Sequence, residues 1–329
     1  MLPSDDPVAG PASPRPLPVQ RELFDIPDDV AYFNCASLAP LLKAAVEAGA
    51  AASSRRARPW LIGEDDWFTE AEERRALFSR LAGLDPEGVA LVPTTSYGLA
   101  VAAANLDARP GQRVLVMADD YPSNRYTWQR FARRTGTELV VVERRDGRSW
   151  GEAVLQALDE RTAVVTVLAT HWTDGGAVDL TAIGARARED GAALVDYQDR
   201  YQPGARRFDV GGRTHFETTP MAVAGLRQLL DWEVPRVAAT LGLLTDRIQR
   251  RVEAIGVRLT SSDRVPHMLG IALPDQARAA AARALAQAGV FVGIRGASLR
   301  VSPHLWTTDQ DVDRLVGALE EATRRTEVS

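Results

Sequence analysis

Ala163-Val164-Val165-Thr166-Val167-Leu168-Ala169 is a short, unbroken apolar run rich in valine. It is too short for a buried helix and apolar at both parities, which is the pattern of a strand covered on both faces of a parallel sheet. Similar runs stand at Val89–Val92, Arg113–Met117, Glu138–Val142 and Ala192–Val195. Helical periodicity separates them at Ser96–Asn105, Asn124–Thr135, Ser149–Leu158 and Leu180–Asp190. Strands alternating with helices of this length predict βα units and a mostly parallel sheet. Two helices, Leu41–Arg58 and Phe68–Leu81, precede the alternation, and a long helical region, Glu217–Ile255, follows it. The rest changes character. Strands Met268–Ala272, Val290–Ile294 and Leu299–Ser302, with helices at Asp275–Ala288 and Thr308–Arg324, predict a small α+β unit.

The chain has 329 residues, 45% hydrophobic and 25% charged, enough to bury a large core and a smaller one. Its net charge of -5 is dispersed, and no basic patch is interleaved with aromatics, so nucleic acid is not the expected partner. A lone cysteine, Cys35, excludes an intramolecular disulfide and fits a reducing, cytoplasmic setting. Residues 1–20 are proline-rich and read as a disordered leader, without the charged start and apolar run of a signal peptide. No apolar stretch is long enough to span a bilayer, so no membrane role is expected.

Ligands of open α/β sheets gather at the carboxyl ends of the strands. After Val89–Val92 comes Pro93-Thr94-Thr95-Ser96-Tyr97-Gly98, hydroxyl-rich and opening a helix, which suits a phosphate; an ordinary N-cap is the alternative. Asp119-Asp120-Tyr121-Pro122 follows the next strand, where Tyr121 could lay its ring on a flat ligand or simply cap the core. Thr170-His171-Trp172-Thr173-Asp174-Gly175 is a cluster of donors and acceptors, or a plain Asp-Gly turn. Asp196, directly behind a buried apolar run, calls for a cationic partner. Other chemistries lack their signatures. There is no G-x-G-x-x-G after a strand, no Walker A loop before the sole lysine, and no H-E-x-x-H. The segment Thr94–Gly98 lacks the first glycine of a nucleophile elbow.

With these residues in place, the chain from Ala31 onward resembles the class V aminotransferases, fold-type I enzymes that use pyridoxal phosphate (PLP) and include cysteine desulfurases, kynureninases and isopenicillin-N-epimerase-like proteins. The resemblance implies a phosphate cup at Thr95, Ser96 and Tyr97, a ring-stacking Tyr121, Thr173 near the phenolic oxygen and Asp196 on the pyridine nitrogen. Tyr32–Pro40 is similar to the family's N-terminal active-site loop, with Asn34 at the substrate. Leu299–Thr308 is similar to its closing strand, where Arg300 would take the substrate carboxylate; a fork of donors suits that group. It also implies an α-amino-acid substrate and a homodimer, with Gly211-Gly212-Arg213 similar to the segment that reaches the partner's phosphate.

One departure is as specific as the match. The family anchors the cofactor on a lysine that also moves protons at the substrate. Here all 39 basic residues are arginine except Lys43, which lies in an N-terminal helix. After Asp196 the sequence runs into Tyr197–Arg213, similar to a region beyond the missing lysine; a βαβ unit of about 30 residues or more is expected to be absent. The expected organisation is a leader over 1–20, an N-terminal segment over 21–60, a large domain over 61–230 shortened after about 196, and a small domain over 231–329. Two functions follow. One is an enzyme of transaminase, lyase or epimerase type, with His171 a candidate base or else a hydrogen-bonded core histidine; the other is a non-catalytic, internally deleted relative. Desulfuration is disfavoured because it needs a nucleophilic cysteine on a mobile loop near the C-terminal domain, and Cys35 lies in another region of the sequence and reads as a small buried residue.

Overall fold

The structure is a computed structural model, and it describes residues 14–144, 148–189, 204–211, 213–261, 263–273, 275–296 and 298–327. A short strand β1 (Ala31–Tyr32) is followed by helices α1 (Lys43–Arg56), α2 (Thr69–Ala82) and α3 (Thr95–Ala104). The alternating part runs β2 (Arg113–Met117), α4 (Pro122–Thr135), β3 (Glu138–Val142), α5 (Trp150–Ala157), β4 (Thr162–Thr166) and α6 (Leu180–Glu189). Its strands are parallel in the order β3-β2-β4. The unbroken apolar character of β2 has a direct cause: Val114 and Val116 pack with Trp128 and Phe131 of α4, while Leu115 and Met117 pack with Trp150, Val154 and Ile183 on the other face. Each fully buried side chain of this kind is worth roughly 1.5–3 kcal/mol over an exposed one.

Helices α7 (Thr218–Trp232) and α8 (Val234–Ala254) replace the single long helix expected there. Glu233, at φ +62° and just ahead of Pro235, breaks the helical run. Then come β5 (Arg258–Leu259), β6 (Leu269–Ala272), α9 (Asp275–Gln287), β7 (Val290–Phe291), β8 (Gly293–Arg295), β9 (Ser298–Val301) and α10 (Asp309–Glu327). Strands β5-β6-β9-β8 form an antiparallel sheet whose buried face, with Leu269, Ile271, Leu299 and Val301, packs on Ile248, Leu285, Leu315 and Leu319. The N-terminal segment joins this unit: β1 pairs with β7, Asn34 bridges Ser302, and the fully buried Phe33 is part of its core.

The strand expected at Val89–Val92 does not form. Its backbone is satisfied by other groups: Val89 O accepts from Arg75, Leu91 N–H donates to Asp209 at 2.7 Å, and Leu91 O accepts from Val210 N–H at 3.0 Å. Arg75 is fully buried, and the Asp209 carboxylate pairs with its guanidinium, so a buried ion pair does the work a sheet ladder does elsewhere. The strand expected at Ala192–Val195, Asp196 itself and the expected deletion after it lie outside the described residues.

Candidate functional site

The N-termini of α3 and α4 meet. Thr94 caps α3 through its hydroxyl, which accepts from Tyr97 N–H at 3.1 Å, so the N-cap reading of this turn also holds. The amides of Thr95 and Ser96 have no acceptor among the described residues, as expected for a first helical turn. Ser96 Oγ lies 2.7 Å from Ser123 Oγ of α4, tying the hydroxyl-rich turn to the turn of Tyr121. Tyr97 and Tyr121 are exposed. Below Tyr121, Asp120 is buried and accepts from Asn124, which in turn accepts from Trp128 and Thr166 at 2.8 Å each. Burial raises the Asp120 pKa despite the hydrogen bonds from Asn124 and the Tyr121 N–H.

Tyr121 stands edge-on to Trp172, ring centres 5.6 Å apart, and the Trp172 carbonyl accepts from Arg300 Nη1 at 2.9 Å. Arg300 sits on β9 and is buried to 3% exposure, yet its Nε and Nη2 have no partner among the described residues. Asn34 Oδ1 is likewise buried and unpartnered. Gly293 of β8 lets these groups lie close against the strand: a Cβ there would stand only 3.0 Å from Asn34 Oδ1, 3.3 Å from Arg300 Nε and 3.5 Å from Nη2. Burial, then the charge of Arg295, lowers the Arg300 pKa. A buried guanidinium edge without acceptors is unfavourable alone and suited to a planar anion.

His171 is 1% exposed and stacks on Trp150 with ring centres 4.1 Å apart. Its Nε2 donates to Ala118 O at 3.0 Å, and its Nδ1 lies 2.8 Å from Thr173 Oγ1 and 3.3 Å from Asp174 Oδ1. Both nitrogens are committed, which corrects its candidacy as a base and makes it a hydrogen-bonded core histidine. Thr173 is turned toward that same histidine. Burial pushes the Asp174 carboxyl up, but the hydrogen bonds from His171 and the Gly176 N–H and the charges of His171 and Arg144 outweigh it, so its pKa lies below the ordinary value. Arg144 pairs with Asp174 at 2.8 Å.

Lys43 begins α1 and donates to Glu22 O at 2.9 Å, away from this cluster. Burial pushes the Cys35 thiol up to about 11, an unreactive value. Gly212 lies outside the described residues, and Arg213 is engaged by Asp209 at 3.5 Å and by the Phe68 ring. The cluster thus joins Thr95, Ser96 and Tyr97 to Tyr121 through Ser123, and Tyr121 to Arg300 through Trp172, with Arg300 and Asn34 meeting over Gly293. Trp172, Gly293 and Arg295 received no role from the sequence, although Gly293, Arg295 and Arg300 already formed a glycine-and-arginine pattern around a short turn. Among the described residues no group of three or more His, Cys, Asp or Glu could hold a metal ion, and no helix is long and apolar enough to cross a membrane.

Residues 65–202 match the family model of the class V aminotransferases. Over 133 residues the chain is 29% identical to an uncharacterized aminotransferase, YcbU, of Bacillus subtilis (strain 168). That match takes in 40% of this chain and 35% of the relative, little more than a third of its length. A C-DES lysine-to-alanine mutant with glycine covalently linked to its PLP cofactor superposes with a TM-score of 0.80 at 13% identity, over 92% of this chain and 99% of C-DES. An apo cysteine desulfurase from Thermococcus onnurineus NA1 does so with a TM-score of 0.78 at 15% identity, over 94% and 100% of the two chains. Residues 65–202 thus match the class V aminotransferase model, and the chain shares the fold-type I architecture of these structures, a parallel-sheet large domain with a smaller α+β domain.

Proposed function

We propose that the protein binds PLP and an α-amino acid in the cluster between α3, α4 and β9, and acts on that amino acid by chemistry of the transaminase, lyase or epimerase type. The observation that carries this reading is the buried Arg300, two of whose nitrogens have no partner among the described residues, lying beside Asn34 and close over Gly293. The residues present fit the cofactor. Thr95, Ser96 and Tyr97 would hold its phosphate with first-turn amides and hydroxyls, and Tyr121 would cover a face of its ring. Asp196, outside the described residues, is the carboxylate for the pyridine nitrogen by resemblance. Bound PLP supplies an electron-withdrawing ring conjugated to the substrate amine. Arg300 and Asn34 would fix the substrate carboxylate, and Trp172 would hold the Arg300 guanidinium in plane.

A second reading, a non-catalytic relative that keeps the pocket, is favoured by the position of Lys43 on α1, bonded to Glu22 O. The C-DES mutant is relevant to both, since that protein carries a glycine-linked cofactor with a lysine replaced. A homodimer is part of the proposal, supported by the exposed Trp60, Leu61, Trp67 and Phe68 between α1 and α2. A cytoplasmic location accords with the unreactive lone thiol.

The test is a visible absorption titration of the full chain with PLP, alone and with L-amino acids, followed by borohydride and intact mass. Saturable binding enhanced by amino acids supports the reading, and product formation separates the enzyme from its inert counterpart. Replacing Arg300 with Ala should weaken amino-acid binding on the order of 10–100-fold, as for a lost charged hydrogen bond, with PLP affinity retained. Absence of PLP binding by the parent sinks both readings.

A further inference from the structure

Arg295 stands beside Arg300. In the β8–β9 hairpin Gly293 is opposite Arg300 and Arg295 opposite Ser298. Residues two apart on a strand share a face, so Arg295 is the diagonal neighbour of Arg300, on the order of 7–8 Å away between backbones. Gly293 has no side chain, which lets the Arg300 guanidinium lie close against β8. Arg295 is half-buried with its Cζ 5.7 Å from the centre of the Trp172 ring, the same residue whose carbonyl holds Arg300.

No carboxylate among the described residues pairs with either guanidinium. Arg295 Nε has no partner, its Nη1 donates to the neighbouring Ile294 O at 2.8 Å, and its Nη2 has only a long 3.4 Å contact with Ser37 Oγ. Arg74 and Arg125 also lack a carboxylate partner among the described residues, whereas other partly buried arginines are compensated. Arg144, Arg264 and Arg314 each have a carboxylate within 2.8 Å, and Arg213 has one at 3.5 Å. Two adjacent, uncompensated cations repel each other, and the Arg295 charge contributes to lowering the Arg300 pKa. One monocarboxylate at Arg300 neutralises half of that pair. A ligand with two anionic groups neutralises both.

We infer that the substrate is a dicarboxylic amino acid, its α-carboxylate on Arg300 and its side-chain carboxylate on Arg295, with the Asn34–Ser37 loop and Trp172 as walls. The inference rests on the reading of Arg300 as the α-carboxylate receptor.

The experiment is calorimetric titration of the full chain, with and without PLP, using propionate, succinate and glutarate, in the parent, Arg295→Gln and Arg300→Gln. The expected result is binding of one dicarboxylate at least tenfold tighter than propionate. Arg295→Gln removes that advantage, weakening dicarboxylates more than propionate, and Arg300→Gln weakens both classes. Equal affinities in the parent overturn the inference without reference to any variant. So do an advantage retained in Arg295→Gln, dicarboxylate binding untouched by Arg300→Gln, or no carboxylate binding at all. If dicarboxylates are selected but PLP is not bound, the cofactor reading fails and this one stands; if PLP and amino acids bind without preference for acidic side chains, this one fails alone.

Discussion

The small domain and the cofactor end of the large domain solve burial in opposite ways. Around β6 and β9, Leu269, Ile271, Val301, Val312, Leu315 and Leu319 are all at or near zero exposure. Helix α3 is nearly all apolar yet buries only Ala103, and its neighbour Val89–Val92 is held by the Arg75–Asp209 pair rather than by a ladder. A closed hydrocarbon core fixes Arg300. The opposite side of the site, Thr95 to Tyr97 and Tyr121, stands open and is held by hydroxyls and caps. The half proposed to hold the substrate is therefore the rigid half, and the half proposed to hold the cofactor is the one a ligand or a partner must complete.

The strongest challenge to this contrast is Asp209→Ala. It leaves the fully buried Arg75 with Glu72, at 3.2 Å, as its remaining carboxylate and takes the acceptor from Leu91 N–H, so a loss of about 2–4 kcal/mol is expected in urea unfolding. A loss below about 1 kcal/mol would show that hydrocarbon contacts hold Val89–Val92 after all. Leu315→Ala in the small domain should cost about 3 kcal/mol through the cavity it leaves. Acid provides a smaller perturbation. Burial, then the charge of His267, pushes His304 down to about 4, and burial also lowers His267. Both are neutral in the fold, so the unfolded chain takes up protons first and stability falls as pH drops from about 6.5 toward 4. His304→Gln should flatten the dependence of the urea midpoint on pH in that window; an unchanged slope would place the acid sensitivity elsewhere. Smallest of all, Ala104→Glu on the exposed side of α3 should change stability by no more than about 0.5 kcal/mol. A loss of several times that would mean a partner covers this helix in solution.

Much of this molecule was legible from periodicity. The β2, β3 and β4 runs carry their two-sided burial in plain view, as does the switch to antiparallel pairing after Val257. The site residues at strand ends and helix starts followed from chain position and resemblance. What stayed hidden depends on contacts between distant segments. Val89–Val92 has strand composition, and nothing local announces that Arg75 and Asp209 will take over its backbone. His171 looked available because its sequence neighbours are polar, whereas Trp150 and Ala118 close over it from elsewhere in the chain. Trp172 was visible only as part of a cluster, and its link to Arg300 spans more than a hundred residues.

The bond from Arg300 Nη1 to the Trp172 carbonyl has a consequence for timing. It anchors a side chain of the small domain to a loop of the large one before anything arrives, so the guanidinium has already lost its rotamer entropy in the free protein. For the carboxylate proposed to bind there, the receptor is preorganised, and more of the contact energy is realised as affinity. Capture in this fold behaves less like a jaw that shuts and more like a socket that waits.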